Sequence, residues 1–511
     1  MAFNKAIKAD PDHANHYYNR ALALSELDQT DAAETDFREA LACALDLHDA
    51  RFNLGRLLRR QRRQTDALVC FKTVLQADRN AIDALIETGE LLNDLGRFEE
   101  AMTYQRQATA LTPQNVRALQ ALGVACFYMK RYGEAKQTFR RALTLEPESF
   151  QLLSALGNLH QRLGQLSEAQ SCFRRAITVR PNHGDAAANL NGLLLLSGAY
   201  EEGWRLYEYT RAIAYGGTPP RNLWNGGDLT GKTVPVYGDQ GVGDVVMFAR
   251  LLDELRSRAA HCVVEIDERL TPLFRQSFPD LDIIGRPRGS ALGPCDMPSD
   301  VETVFSDLPR RLRTTLGEHS KPARAHLKAD PARIAQIRQR YRAGGDRLLI
   351  GIAWRSHNLN RPERDAPLPL WGAIFAQPNA RFISLQYGDV AADIAQAQQR
   401  HGVEIMDDPR IDQSASLDDL ARQICALDLV VSISQSSAHF AGALGQNVLT
   451  MIPKVPDWRY RLTGAQTIWY SGMTLYRQSV VDTWDNVIAA VAADIVKYAA
   501  GANAASPRAY L

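Results

Sequence analysis

The chain has 511 residues, with 59 Lys and Arg against 58 Asp and Glu and a formal net charge of +1. That length exceeds what one hydrophobic core serves, so about two to four domains are expected. The balanced charge argues against nucleic acid as a partner, because a dedicated nucleic-acid binder carries a basic excess. Seven cysteines, at positions 43, 70, 126, 172, 262, 295 and 425, are scattered without a Cys-x-x-Cys pair. Such a set points to free thiols in a reducing compartment rather than to a disulfide framework or a zinc site. No apolar run approaches the length of a membrane span, and the opening MAFNKAIKADPDH is not a signal peptide, so a soluble cytoplasmic protein is expected.

Residues 1–217 repeat with a period of 34. Leu122-Gly123, Ala135, Phe139, Ala142 and Pro147 form one copy, and Leu156-Gly157, Ala169, Phe173, Ala176 and Pro181 form the next. Leu54-Gly55, Ala67 and Phe71 belong to an earlier copy; Gly89, Gly96, Ala101, Ala108 and Pro113 belong to another. Weaker copies start near Ala14 and Gly184, and Phe3, Ala6 and Pro11 fit the end of a further unit, so the chain opens in mid-repeat. The small residues let helices approach closely, the aromatic fills the gap, and the proline ends the second helix. This spacing resembles the tetratricopeptide repeat, two antiparallel helices per unit, and implies an α-solenoid whose concave face takes a protein or peptide. Asn19, Asn53 and Asn189 share one position of the first helix, where side-chain amides can bond a peptide backbone; Glu87, Ala121 and Ala155 interrupt the row, which leaves helix packing as the other reading. The run Arg59, Arg60, Arg62, Arg63 is either a solvated helix face or a patch for an acidic partner.

Tyr215-Gly216-Gly217-Thr218-Pro219-Pro220 reads as a linker, and strands then alternate with helices. Val234–Tyr237 is a strand, followed by the glycine-rich loop Gly238–Gly243 and a helix from Asp244 to Arg258. Strand Cys262–Ile266, helix Leu270–Phe278 and strand Leu281–Ile284 follow; 286–330 is irregular and carries the connection to a second lobe. That lobe contains strands Leu348–Trp354, Arg381–Leu385 and Val403–Met406, and helices Val390–Arg400 and Leu417–Leu427. Its centre is LDLVVSISQSSAHFAGALGQNVLTMIP, which reads as a buried strand, a helix Ala438–Leu444 capped by Ser436 or Ser437, and a second strand. Gly445 suits the left-handed position that ends the helix. Helix Thr483–Ala500 is long enough to pack back across the lobes. The predicted fold class is α plus α/β: a repeat solenoid at 1–217, then two doubly wound Rossmann-like lobes at 218–330 and 331–511.

The segments WNGGDLTGK, GDQGVGDVVMFAR, GIAWR, FISLQYG, LDLVVSIS, AHFAGALG, VPDWRY and WYSGMTLYRQ, in that order, are similar to bacterial proteins that join tetratricopeptide repeats to a heptosyltransferase-like glycosyltransferase domain of the GT-B type. The resemblance implies metal-independent sugar transfer with no cofactor, the nucleotide sugar being a substrate; several such proteins modify proteins, flagellin among them. Asp244 matches the aspartate that activates the acceptor, and helix capping is its other reading. The implied donor site comprises Gly241, Gly243, Arg355, Arg361, Arg364, Gln386, Ser434, Gln435, Ser436, Ser437, His439 and Asp457. The implied acceptor contacts are Asn19, Asn53 and Asn189, a row similar to that of O-linked N-acetylglucosamine transferases. The chain departs from the pattern at Ser434-Gln435, where relatives commonly carry Asp-Thr, and at Arg361 and Ala366, where they often carry Lys and Arg. A repeat scaffold with a degenerate nucleotide-sugar fold is therefore the competing reading.

Overall fold

A computed structural model describes residues 2–182, 184–214, 222–288, 299–312, 325–343, 345–356 and 362–502. The chain divides into two compact units, Met1–Ala186 and Ala187–Leu511.

After an opening helix Ala2–Ala9, helix pairs recur at the sequence period. First helices begin at Ala14, His48, Ile82, Val116, Phe150 and Gly184, and second helices at Thr30, Gln64, Phe98, Tyr132, Leu166 and Tyr200. The turn inside each pair holds one left-handed residue: Asp28, Arg62, Gly96, Lys130, Gly164 or Gly198. The Leu-Gly positions exist for close approach. A Cβ on Gly123 would lie 2.4 Å from the Phe139 ring, and Gly55 and Gly157 face Phe71 and Phe173 in the same way. In the copy that lacks the phenylalanine, Gln105 covers Gly89 and its Nε2 donates to the Ile86 carbonyl at 3.0 Å.

The second unit opens with the end of helix Gly184–Ser197 and helix Tyr200–Ala214, and then holds two parallel sheets. The strands are β1 Thr233–Tyr237, β2 His261–Asp267, β3 Asp282–Arg286, β4 Thr303–Val304, β5 Leu348–Ala353, β6 Ala380–Ser384, β7 Ile405–Met406, β8 Leu429–Ile433, β9 Val448–Ile452 and β10 Met473–Arg477. The first sheet has the order β3-β2-β1-β4 and the second β10-β9-β8-β5-β6-β7. Chain direction through each sheet reverses once, beside β1 in the first and between β5 and β8 in the second. Ligands of open α/β sheets bind outside the carboxyl ends of strands at such points.

Several elements differ from the sequence expectation. The helix expected over Asp244–Arg258 starts two residues earlier and is broken, with α-helices Val242–Phe248 and Leu252–Arg256 joined by a 3-10 turn at Ala249–Leu251. The region 286–330 contains β4, which pairs with β1. β10 extends the second sheet beyond β9. Among the described residues the long closing helix, Asp485–Ala502, packs on the second sheet: Val487, Ile488, Val491 and Ile495 enter its core, and the Tyr498 hydroxyl donates to the Asp428 carbonyl at 2.7 Å.

Candidate functional site

The glycine-rich loop leaves β1 tied to its neighbours. Gly238 N–H donates to the Glu265 carbonyl at 2.7 Å, and the Gly238 carbonyl accepts from Arg286 Nη2 at 2.7 Å. Asp239 crosses to the loop after β4, where its carboxylate accepts from the Ser306 N–H at 3.1 Å and from the Ser306 hydroxyl. Helix Val242–Phe248 follows with Gly241 as its N-cap. Asp244 therefore lies in the first turn and is not the cap.

Helix Ser436–Ala443 meets this first turn from the second sheet. A Cβ on Gly243 would stand 3.3 Å from Ser436 Cα and Oγ and 3.5 Å from His439 Cδ2. The cap differs from the expected one. Gln435 holds the N-cap position without a side-chain cap bond, and Ser437 is buried with its hydroxyl donating to the Leu385 carbonyl at 3.1 Å. Ser436 is half-buried and is the serine at the mouth. Gly445 is left-handed, with φ of 77°.

Asp244 turns its carboxylate to Arg459. Arg459 Nε and Nη2 both donate to Oδ1, at 2.7 and 2.6 Å. Arg459 Nη1 reaches Asp457 Oδ1 at 2.5 Å, and Arg364 Nη2 reaches Asp457 Oδ2 at 3.2 Å. The result is an alternating chain, Arg364–Asp457–Arg459–Asp244, between the carboxyl ends of the two sheets. No hydrogen bond to Asp244 Oδ2 is found among the described residues, so that oxygen is available to a proton. Burial pushes the Asp244 carboxyl above the usual aspartate range against the pull of Arg459, with Asp457 adding to the rise. This reverses the lowering expected from a helix N-terminus, because loss of water outweighs the dipole of a single short helix. Burial works against the Arg459 charge, but Asp244 and Asp457 outweigh it and raise its pKa.

His439 sits behind the chain of ion pairs. Its Nδ1 is 3.1 Å from the Tyr470 hydroxyl and its Nε2 is 3.2 Å from the Tyr460 hydroxyl. Burial, then the nearby Arg459 charge, lowers its pKa to about 3, so the ring is neutral. One tyrosine donates to it and the other accepts, which makes His439 a brace between helix Ser436–Ala443 and the 458–470 segment.

Ser434 and Gln435, at the end of β8, are 4% and 8% exposed. Among the described residues, Ser434 Oγ and both polar atoms of the Gln435 carboxamide have no hydrogen-bond partner. A buried amide left unpaired costs about 1–3 kcal/mol, so these groups call for a partner that an ordered water or a ligand can supply. The expected residues Arg355, after β5, and Gln386, after β6, are already engaged. Arg355 Nη1 pairs with Asp393 Oδ2 at 3.1 Å, and Gln386 Oε1 accepts from the N–H groups of Trp354 and Arg355 at 3.1 and 3.0 Å. Gln386 thus braces the loop instead of lining an opening. Arg361 lies outside the described residues.

The structure brings Gly243, Asp244, Arg364, Ser436, His439 and Asp457 to one place, and it adds Arg459, Tyr460 and Tyr470. Arg459 was visible within PDWRY, but nothing local marks it as the partner of an aspartate 215 positions earlier. Arg477 was invisible as a support. It donates to the carbonyls of Tyr460, Arg461 and Gly464 at 2.7, 2.8 and 2.9 Å and fastens the turn that carries Arg459.

Family models of the tetratricopeptide repeat match residues 2–35, 52–116, 86–150 and 127–194. The chain carries tetratricopeptide repeats. Protein FlbA of Caulobacter vibrioides (strain ATCC 19089 / CIP 103742 / CB 15) is 30% identical over 326 residues, which cover 60% of this chain and 54% of that protein. The chain thus spans about half the length of this relative. Among solved structures, YrrB, described as a TPR protein with an unusual peptide-binding site, matches 36% of this chain and 96% of its own at 22% identity and a TM-score of 0.33. TTC0263, a thermophilic TPR protein of Thermus thermophilus, matches 36% of this chain and 100% of its own at 22% identity and a TM-score of 0.31.

Tetratricopeptide repeats point to a protein or peptide partner. No helix among the described residues is long and apolar enough to cross a membrane. Within the repeats, Asn19 is exposed and Asn189 half-buried. Asn53 donates its amide inward, to Tyr18 Oη at 3.2 Å and the Asp49 carbonyl at 2.9 Å. At the next equivalent position Glu87 is buried and pairs with Arg59 at 2.8 Å and Arg117 at 3.1 Å. Three of the four arginines of the run pair in the same way: Arg59 also binds Glu90 and Asp94, Arg60 binds Asp28, and Arg63 binds Glu34 and Asp66, while Arg62 is exposed. The acidic partners of this run are residues of the repeats themselves.

Proposed function

We propose that this protein is a glycosyltransferase that moves a sugar from a nucleotide-sugar donor to a hydroxyl of a protein held by the repeats. The observation that carries this reading is that Asp244, with no hydrogen bond to its second carboxylate oxygen among the described residues, follows Gly243, which packs against Ser436 just past β8, where Ser434 and Gln435 are buried without partners among the described residues. In this reading the two sheets are the lobes of a GT-B enzyme. The donor diphosphate lies against Ser436 at the start of helix Ser436–Ala443, with Arg364 supplying positive charge. Asp244 Oδ2 takes the proton of the acceptor hydroxyl. The acceptor oxygen bonds to the anomeric carbon, the bond from that carbon to the phosphate oxygen breaks, and the electron pair leaves on the nucleoside diphosphate.

A second reading, a non-catalytic scaffold, is favoured by one observation: Arg459 ties Asp244 to Asp457 as a purely structural clasp would. The two readings part in a thermal-shift screen of UDP-, GDP-, ADP- and CMP-sugars with the full chain, since a ligand that binds only the folded state must stabilise it. A raised melting temperature with one donor class, lost in Ser436→Glu, supports the transferase. No shift with any donor at millimolar concentration supports the scaffold.

A further inference from the structure

Trp204 lies on helix Tyr200–Ala214, the last helix before the sheets, and is 5% exposed. Its indole does not pack only within the helix pair. It meets Trp458 edge-on, with ring centroids 5.4 Å apart and planes at 82°. Trp458 is the residue before Arg459, and its ring carries the Arg459 guanidinium at 4.8 Å from the centroid. Phe248 stacks on Trp458 at 6.5 Å, and Trp469 packs edge-on at 6.2 Å while donating Nε1–H to the Arg459 carbonyl at 3.0 Å. One turn of helix beyond Trp204 is Tyr207, whose ring lies 5.7 Å from the Trp204 ring. Burial, then the carboxylates of Asp239 and Asp244, raises the Tyr207 pKa, so this helix also sets a hydroxyl near the two aspartates of the glycine-rich loop.

We infer that Trp204 is a positioning residue for the Asp244–Arg459 pair, and that helix Tyr200–Ala214 belongs to the working site and not only to the repeats. The argument is geometric. An arginine side chain has several rotatable bonds, and two features restrict Arg459: its ion pairs and the aromatic face beneath it. That face is held at the angle Trp204, Phe248 and Trp469 leave to it. Removing the Trp204 edge frees Trp458 to turn, and Arg459 then no longer presents Nε and Nη2 together to Asp244. The charged and titratable groups around Asp244 include Arg459, Asp457, Arg364, Tyr207, Tyr460 and Tyr470, with Asp239 on its own loop and the neutral His439 on the facing helix. Of these, Arg459 is the cation that touches it, so loosening Arg459 raises the carboxyl pKa further. The inference rests on the glycosyl-transfer reading only in calling the pair a working site.

The test is a carboxyl 13C NMR titration of the full chain labelled at aspartate, with the Asp244 resonance assigned as the one missing in Asp244→Asn. Trp204→Leu keeps apolar volume without an aromatic edge, and Trp204→Phe keeps the edge. The expected result is an Asp244 midpoint roughly half a pH unit or more above the parent in Trp204→Leu, and close to the parent in Trp204→Phe. Where transfer is measurable, its acidic limb moves with the midpoint and the donor KM stays constant while kcat falls. Should Trp204→Leu not fold, Trp204→Met gives the same comparison. A folded Leu or Met variant with the parent titration overturns the inference, as does a Phe variant shifted as far as Leu. The titration needs no transfer reaction, so a failed donor screen and a failed positioning role are separate outcomes.

Discussion

Gly243 and Ser436 come from different sheets and meet so closely that a methyl group on the glycine would lie 3.3 Å from the serine Cα and Oγ. The neighbour on one side is backbone, which cannot swing away. Gly243→Ala is expected to push the two helix starts apart, lower stability by about 1–2 kcal/mol and reduce donor-induced stabilisation. Gly241→Ala is the comparison, because a Cβ there meets nothing within 4 Å and its cost is only that of replacing a glycine N-cap. Thermal melts with and without donor separate the two. Equal effects of both substitutions would mean that the close approach does not shape the site.

Gln435 offers a test in which stability and binding move in opposite directions. Its buried carboxamide has no partner among the described residues. Gln435→Leu removes that unpaired group, so the free protein is expected to gain about 1 kcal/mol. The same change is expected to lose the donor-induced rise in melting temperature. A gain in stability with donor affinity retained would make Gln435 an internal defect and not a ligand group.

Asp244→Asn is expected to slow transfer by about 10²–10⁴-fold while donor affinity stays within about three-fold, because a general base acts in the transition state. Because burial raises the Asp244 pKa, transfer by the parent is expected to fall, as pH drops, at a midpoint above the ordinary aspartate value of 3.8. The linkage has a definite sign. A carboxyl whose pKa is raised in the folded chain contributes stability below its unfolded pKa and loses it as pH rises through the folded one. Kinetics across pH with the Asn variant alongside decide the matter, and a variant with most of its activity would move the base elsewhere.

His439 has the opposite linkage. Its pKa falls to about 3 from 6.5, so the unfolded chain takes up a proton that the folded chain refuses. The stability it contributes is present above pH 6.5 and is lost as pH falls toward about 3, at up to about 1.4 kcal/mol per pH unit. Denaturant unfolding between about pH 6 and pH 4 is expected to show a shallower loss of stability in His439→Gln than in the parent. Parallel curves would mean that His439 is protonated in the folded protein.

Arg62 is exposed and left-handed, with φ of 62°, at the turn position where the third, fifth and sixth helix pairs have glycine. Arg62→Gly is expected to relieve the steric cost of that conformation and raise stability by about 0.5–1 kcal/mol. A lower melting temperature would show that the flexibility glycine gives the unfolded chain outweighs the relief.

The repeat spacing, the left-handed Gly445 and the two strands around SISQSSAHFAGALG were legible because each depends on residues close in sequence. Helix period and turn chemistry are local properties, and similar copies reinforce one another. The short strands β4 and β10 were not legible. β4 has only two residues, and both strands exist because a neighbouring strand supplies their hydrogen bonds. The cap of helix Ser436–Ala443 was misplaced for a related reason: Ser437 is a good cap by type, but burial turned its hydroxyl to Leu385.

Among the site residues, Ser436 stood out as a helix-cap type after a strand, and Asp244, His439 and Asp457 stood out through the resemblance of the segments that carry them. Their partners did not. Arg459 beside Asp244, the tyrosines around His439 and Trp204 against Trp458 are contacts across separations that no sequence period links. Local chemistry names which groups can act, since propensity and spacing are carried by neighbours along the chain. Which groups do meet, and whether a carboxylate there is raised or lowered, is decided by burial and by charges brought in from elsewhere, and these exist only once the sheets have formed.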